Sequence, residues 1–149
     1  MSIRTLQPER LWKEFYEICQ IPHPSKKEEK MIAYLQEFGK RHNLETRTDA
    51  AGNVLICKPA TPGYENRKKV ILQSHMDMVC EKNNDTQHNF DTDPIQPYID
   101  GEWVTANGTT LGADNGIGAA AVLAVLEDDT LEHGQVEALF TATEETGMD

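Results

Sequence analysis

The stretch Val70-Ile71-Leu72-Gln73-Ser74-His75-Met76-Asp77 decides how this chain is read. Three apolar residues in a row, two of them β-branched and flanked by polar segments, carry the mark of a buried central strand. The run feeds straight into a histidine and an aspartate at positions i and i+2. Extended backbone points such residues to the same side, so His75 and Asp77 can serve one site.

Helices and strands alternate around this strand. Pro8 to Gln20 is expected to form a helix, with Pro8 in its first position and Leu11, Phe15 and Ile18 facing a core. Ser25-Lys26-Lys27-Glu28 has the spacing of a capping box, opening a helix that runs to about His42. Leu44 to Thr48 and Val54 to Cys57, joined by a turn at Ala51-Gly52-Asn53, suggest a hairpin. A second hairpin is expected at Tyr98 to Trp103, where Asp100-Gly101 supplies the tight turn. The alanine-rich run from about Ile117 to Glu127 is apolar almost all round, as in a helix buried against a sheet. Val136 to Thr141 is another strand. The predicted class is therefore α/β, a layered helix–sheet domain.

The composition narrows the function classes. The 149 residues are enough for a domain with a real core. A net charge of −11 argues against a nucleic-acid partner, which needs a positive field to displace counterions. No apolar run approaches the roughly eighteen residues of a membrane span, and Met1 to Trp12 lacks the apolar core of a secretion signal. Cys19, Cys57 and Cys80 are odd in number and widely spaced, which fits reduced thiols in a cytoplasmic protein.

Three polar clusters stand where the chain leaves buried elements. His75 and Asp77 form the first. A neutral imidazole binds a divalent cation through one nitrogen while a carboxylate holds the proton on the other. Asp114, among Gly112, Gly116 and Gly118, is the second; it suits either a helix cap or a carboxylate that bridges two cations. Glu144-Glu145 is the third, adjacent acids at the end of an apolar strand. Such a pair is costly to place together unless a cation or proton separates them, and ligand sites gather at the carboxyl ends of strands. One histidine and several acids suit zinc, with cobalt or manganese also compatible. The residues alone support a metal-dependent hydrolase. His23, between prolines, is expected to pack or hydrogen-bond locally; His42, His88 and His133 are expected in polar, exposed surroundings; Trp12 and Trp103 are expected to be packing residues.

Through these motifs and their neighbours the sequence resembles the N-terminal part of the aminoacyl-histidine dipeptidases (the peptidase D, or Xaa-His dipeptidase, group), which belong to the co-catalytic zinc exopeptidases. The stretches that carry the resemblance are Ile21 to Ser25, His75 to Val79, Lys82 to Thr86, Asp93 to Tyr98, Gly108 to Gly116 and Thr143 to Met148. The resemblance implies two Zn2+ ions in a complete site. His75 would bind one, Asp114 would bridge both, and Glu145 would bind the other. Glu144 would be the general base, and Asp77 the second catalytic residue, orienting His75. It implies a cis peptide at Asp114–Asn115, a cytoplasmic dipeptidase as the parent, and dipeptides as substrates. It also implies that residues 1–149 form the N-terminal part of the catalytic domain. The remaining ligands and a lid or dimerisation domain, through which the parent homodimerises, would lie beyond Asp149, leaving the isolated chain inactive. Two other functions share this pattern: an aminoacylase or deacylase on the same scaffold, and a non-catalytic truncated domain.

Overall fold

The computed structural model describes residues 1–148. In chain order the elements are α1 (Glu9–Gln20), α2 (Glu29–Arg41), β1 (Glu45–Thr48), β2 (Val54–Lys58), β3 (Val70–His75), β4 (Pro97–Asp100), β5 (Trp103–Ala106), α3 (Ala113–Glu127) and β6 (Val136–Thr141). Short 3-10 turns lie at Ile3–Thr5 and Glu144–Thr146. A four-stranded sheet has the order β1-β2-β6-β3, and β4-β5 is a separate hairpin.

The register explains where the core sits. Val54 pairs with Phe140 and Ile56 with Ala138 across the antiparallel β2–β6 ladder. Leu72 and Ser74 pair with Ala138 and Phe140 across the parallel β3–β6 ladder. Strand side chains alternate faces, so these residues share one face. Val54, Ile56, Ala138 and Phe140 are fully buried there, in one cluster with Phe15, Leu35, Phe38 and Leu123 from the helices. α2 covers β1 and β2, while α3 lies on β3 and against α1. The layered α/β expectation is met.

Several local readings change. β3 is a strand, but it is the edge of this sheet among the described residues, and β6 is interior. Val70 and Ile71 are 48% and 61% exposed. Ile71 pairs with Glu137, on the face opposite the helix-covered one, so its apolar character is not matched by burial. The capping box also fails. α2 starts at Glu29 with Glu28 as its N-cap residue, and no side chain caps it. Pro8 likewise precedes α1, as its N-cap residue. Trp103 does not pack: it is 76% exposed on the β4–β5 hairpin. His42, His88 and His133 are half-buried and not exposed, and His88 and His133 each keep a buried Nε2.

Both expected hairpins form. Thr48 pairs with Val54 across the first, and Gly101 (φ 61°) turns the second, a conformation that glycine adopts at no steric cost. No helix of the described residues is long and apolar enough to cross a membrane. Cys19, Cys57 and Cys80 are free thiols.

Candidate metal site

β3 and β6 run parallel, so their carboxyl ends open at the same edge of the sheet. His75 closes β3, and the Glu144–Thr146 turn follows β6. α3, the crossover between them, begins beside both. Ser74, on the helix-covered face, donates from Oγ to the Asn115 carbonyl at 3.1 Å, which fixes the start of α3 against the end of β3. Backbone angles at Asp114 and Asn115 are not helical, and the Asp114–Asn115 peptide is cis, as the resemblance implies. Asn115 Oδ1 accepts the Gly118 amide at 3.1 Å and so takes the role of a cap. The Asp114 side chain is left free to face His75 and is 84% exposed.

His75 is held from one side and open on the other. Its Nδ1 lies 3.0 Å from the Asp77 main-chain carbonyl and 3.2 Å from Asp77 Oδ1. A carbonyl only accepts, so Nδ1 carries a proton and donates. Nε2 points the other way, 2.9 Å from Asp114 Oδ1, 3.8 Å from Glu144 Oε2 and 3.9 Å from Glu145 Oε1. The ligand atoms of His75, Asp114 and Glu145 all lie within 4.8 Å of one another. Glu144 lies at the rim of the same group, its side chain 46% exposed against 23% for Glu145.

The electrostatics follow from this crowding. Burial pulls the His75 imidazole down, but the Asp114 hydrogen bond and the charges of Asp77 and Glu144 outweigh it and raise it overall. Burial, then the like charges of Glu144 and Asp114, hold the Glu145 carboxyl above its usual range. Burial acts in the same sense on Asp77. Hydrogen bonds from Ser25 and from the Glu145 and Glu144 amides overcome it, and Asp77 stays below the usual carboxylate range. Without a cation, then, a proton must bridge the imidazole and Asp114, and two acids repel across the gap. One imidazole nitrogen and two carboxylates that converge on a point are the donor set of a divalent transition-metal ion, so the residues present fit such an ion.

The five residues expected from the sequence (His75, Asp77, Asp114, Glu144 and Glu145) are all brought to this edge. Two that the sequence assigned to a helix cap belong instead to the same network. Ser25 Oγ donates to Asp77 Oδ2 at 2.6 Å, and Glu28 Oε1 accepts the Thr143 amide at 2.9 Å. His23 is buried, with Nδ1 2.6 Å from the Ile21 carbonyl, a local role as expected.

Comparison with known proteins bears on this geometry. The sequence model of Peptidase family M20/M25/M40 matches residues 71–149. The chain is 59% identical over 148 residues to the cytosol non-specific dipeptidase of Escherichia coli (strain K12), covering 99% of this chain and 30% of that protein. It superposes on the crystal structure of aminoacylhistidine dipeptidase from Vibrio alginolyticus with a TM-score of 0.97 and 57% identity, covering 99% of this chain and 30% of that one. A tripeptidase from Staphylococcus aureus matches with a TM-score of 0.76 and 26% identity, over 95% of this chain and 38% of that one. The chain thus spans about a third of the length of the relatives it matches.

Proposed function

The chain belongs to peptidase family M20/M25/M40, and from that premise we propose that it carries part of the active site of a metal-dependent dipeptidase. The observation that carries the reading is the convergence of His75, Asp114 and Glu145 at the joint carboxyl ends of β3 and β6, with Glu144 beside them. The names of its relatives, dipeptidases from Escherichia coli and Vibrio alginolyticus, support the substrate class. The name of the first also supports a cytoplasmic location.

In this reading residues 1–149 are the N-terminal part of a catalytic domain. His75, Asp114 and Glu145 would hold the metal, two zinc ions in the complete site, with cobalt or manganese also compatible with these donors. Bound there, such ions supply Lewis acidity to a peptide carbonyl and to water. The protein's own residues do the rest. Asp77 keeps the proton on His75 Nδ1, so that Nε2 presents a lone pair. Glu144, the more exposed acid, accepts a proton from the attacking water at a carboxylate oxygen. It then delivers that proton to the leaving amine, so the base of the first step is the acid of the second. Three ligand residues are a partial set for two ions, so the 149 residues alone bind metal weakly and do not turn over. Further ligands, and a homodimer through another domain, belong to a longer protein.

The test is an assay of the intact protein on a panel of dipeptides that includes Xaa-His members, with and without a chelator. Chelator-sensitive hydrolysis is expected. Activity that survives chelation, or none on any dipeptide, overturns the reading. A preference for N-acyl amino acids on the same panel would replace it with an aminoacylase.

A further inference from the structure

Three consecutive amides, those of Thr143, Glu144 and Glu145, end on two buried carboxylates. Glu28 Oε1 accepts from Thr143 at 2.9 Å. Asp77 Oδ1 accepts from Glu144 at 3.1 Å and Oδ2 from Glu145 at 3.2 Å. Glu28 is 6% exposed and Asp77 1% exposed, so these are charge-assisted bonds shielded from water. Thr143 sits at φ 55°, ψ 30°, a left-handed conformation that a β-branched residue rarely takes. The turn that presents both glutamates is therefore held by its acceptors and not by its own preference.

The acceptors are themselves held. Ser25 Oγ donates to Asp77 Oδ2, the oxygen that also takes the Glu145 amide. The backbone around Ser25 is tied to the segment that carries Asp77. The Met78 amide donates to the His23 carbonyl at 3.1 Å, and the Ser25 amide to the Met78 carbonyl at 3.4 Å. The hydroxyl is thus delivered to the carboxylate by a backbone already in place. Glu28 Oε1 is steadied in turn by the Lys26 amide at 3.0 Å. Ser25 and Glu28 form a brace from the start of α2 to the turn after β6.

We propose that Ser25 and Glu28 are positioning residues for the Glu144–Glu145 turn and for His75, a role that rests on the hydrolase reading above. Glu28 sets the direction of Thr143. Ser25 locks the Asp77 carboxylate so that one oxygen faces His75 Nδ1 while both grip the glutamate amides. A hydroxyl at position 25 and an acceptor at position 28 are what this needs, which is why the two residues stand at this spacing without capping a helix.

The experiment compares Ser25→Ala, Ser25→Thr and Glu28→Gln in the intact protein. The readouts are kcat and KM, the stoichiometry and d–d absorption of bound cobalt(II), and hydrogen exchange at the Thr143, Glu144 and Glu145 amides without metal. Loss of a group that orients a metal ligand costs roughly 10- to 100-fold in activity or metal affinity. Ser25→Ala is expected to fall in that range through kcat with KM little changed, to alter the cobalt spectrum and to speed exchange at the three amides. Ser25→Thr restores all three readouts. Glu28→Gln, which keeps the shape, is expected to speed exchange at Thr143 and lower kcat, and it carries the test if Ser25→Ala does not fold. Wild-type kcat, spectrum and exchange in both variants would overturn the brace while leaving the hydrolase reading intact. A wild-type protein that binds no cobalt and cleaves no dipeptide, yet shows the exchange changes, would reject the hydrolase reading and retain the brace only as structure.

Discussion

Glu144 and Glu145 are neighbours in the chain but not in their surroundings. Glu145 offers an oxygen to the group formed with His75 and Asp114, and burial together with two like charges raises its carboxyl. Glu144 stands at the rim, half exposed and open to water. Removing each charge alone should therefore separate two functions. Glu145→Gln is expected to weaken metal binding by at least about tenfold. Glu144→Gln is expected to keep the metal and lose roughly 10²- to 10⁴-fold in kcat, the usual worth of a positioned proton carrier. Titration with cobalt and steady-state kinetics on the intact protein check both, and the reverse pattern would exchange the two roles. These acids were legible because each sits where a buried element ends. Ser25 and Glu28 were not. Their spacing fits a helix cap equally well, and the contacts that decide between cap and brace come from Asp77 and Thr143, 52 and 115 residues away in sequence. Local spacing carries no information about which distant partner wins.

Where α1, α2 and α3 meet, a buried acid couples the elements to pH. Glu14 of α1 is 7% exposed, accepts from the Tyr34 hydroxyl of α2 at 3.0 Å, and faces Glu127 of α3. Burial first, then the Glu127 charge, push its carboxyl up to about 7 from 4.5. The folded chain thus keeps a proton that the unfolded chain releases between these values. Stability from this group is fully present below about pH 4.5 and is lost as pH rises through about 7, a change of at most about 3 kcal/mol. Glu14→Gln is expected to flatten that slope and to be the more stable form above pH 7. Urea unfolding at pH 5 and pH 8 measures it, and an unchanged slope in the variant would refute it. The sheet offers a second test at this scale. An apolar run such as Val70-Ile71-Leu72 signals a strand, but it does not reveal which neighbours flank it. β3 lies at the edge because its ladder partner β6 is itself interior, and that follows only from long-range pairing. Exposed apolar edges invite strand-to-strand association. Ile71→Lys should therefore reduce concentration-dependent self-association of the 149-residue chain in sedimentation, with the fold unchanged.

In the whole molecule, the candidate site joins three parts of the chain that lie far apart in sequence. His75 comes from the end of β3, Asp114 from the start of α3, and Glu145 from the turn after β6. In the unfolded chain these three residues are scattered, so a cation that needs all three binds the folded form alone. Such a ligand, at about a hundredfold over its dissociation constant, adds about 2.7 kcal/mol to stability. For a chain of this size each kcal/mol raises the midpoint by roughly 2–4 °C. Zinc is therefore expected to raise the thermal midpoint of the 149-residue chain by roughly 5–10 °C once the site is saturated, and a chelator to return it. His75→Ala should abolish the shift, because it removes the one neutral nitrogen donor and leaves two like-charged acids. Ile71→Lys, remote from the site on an exposed edge, should keep it. The two variants separate a bound ion from nonspecific stabilisation of an acidic chain, whose net charge of −11 attracts any cation. If zinc, cobalt and manganese all leave the midpoint unmoved, or move wild type and His75→Ala equally, these three residues do not make a metal site in this chain.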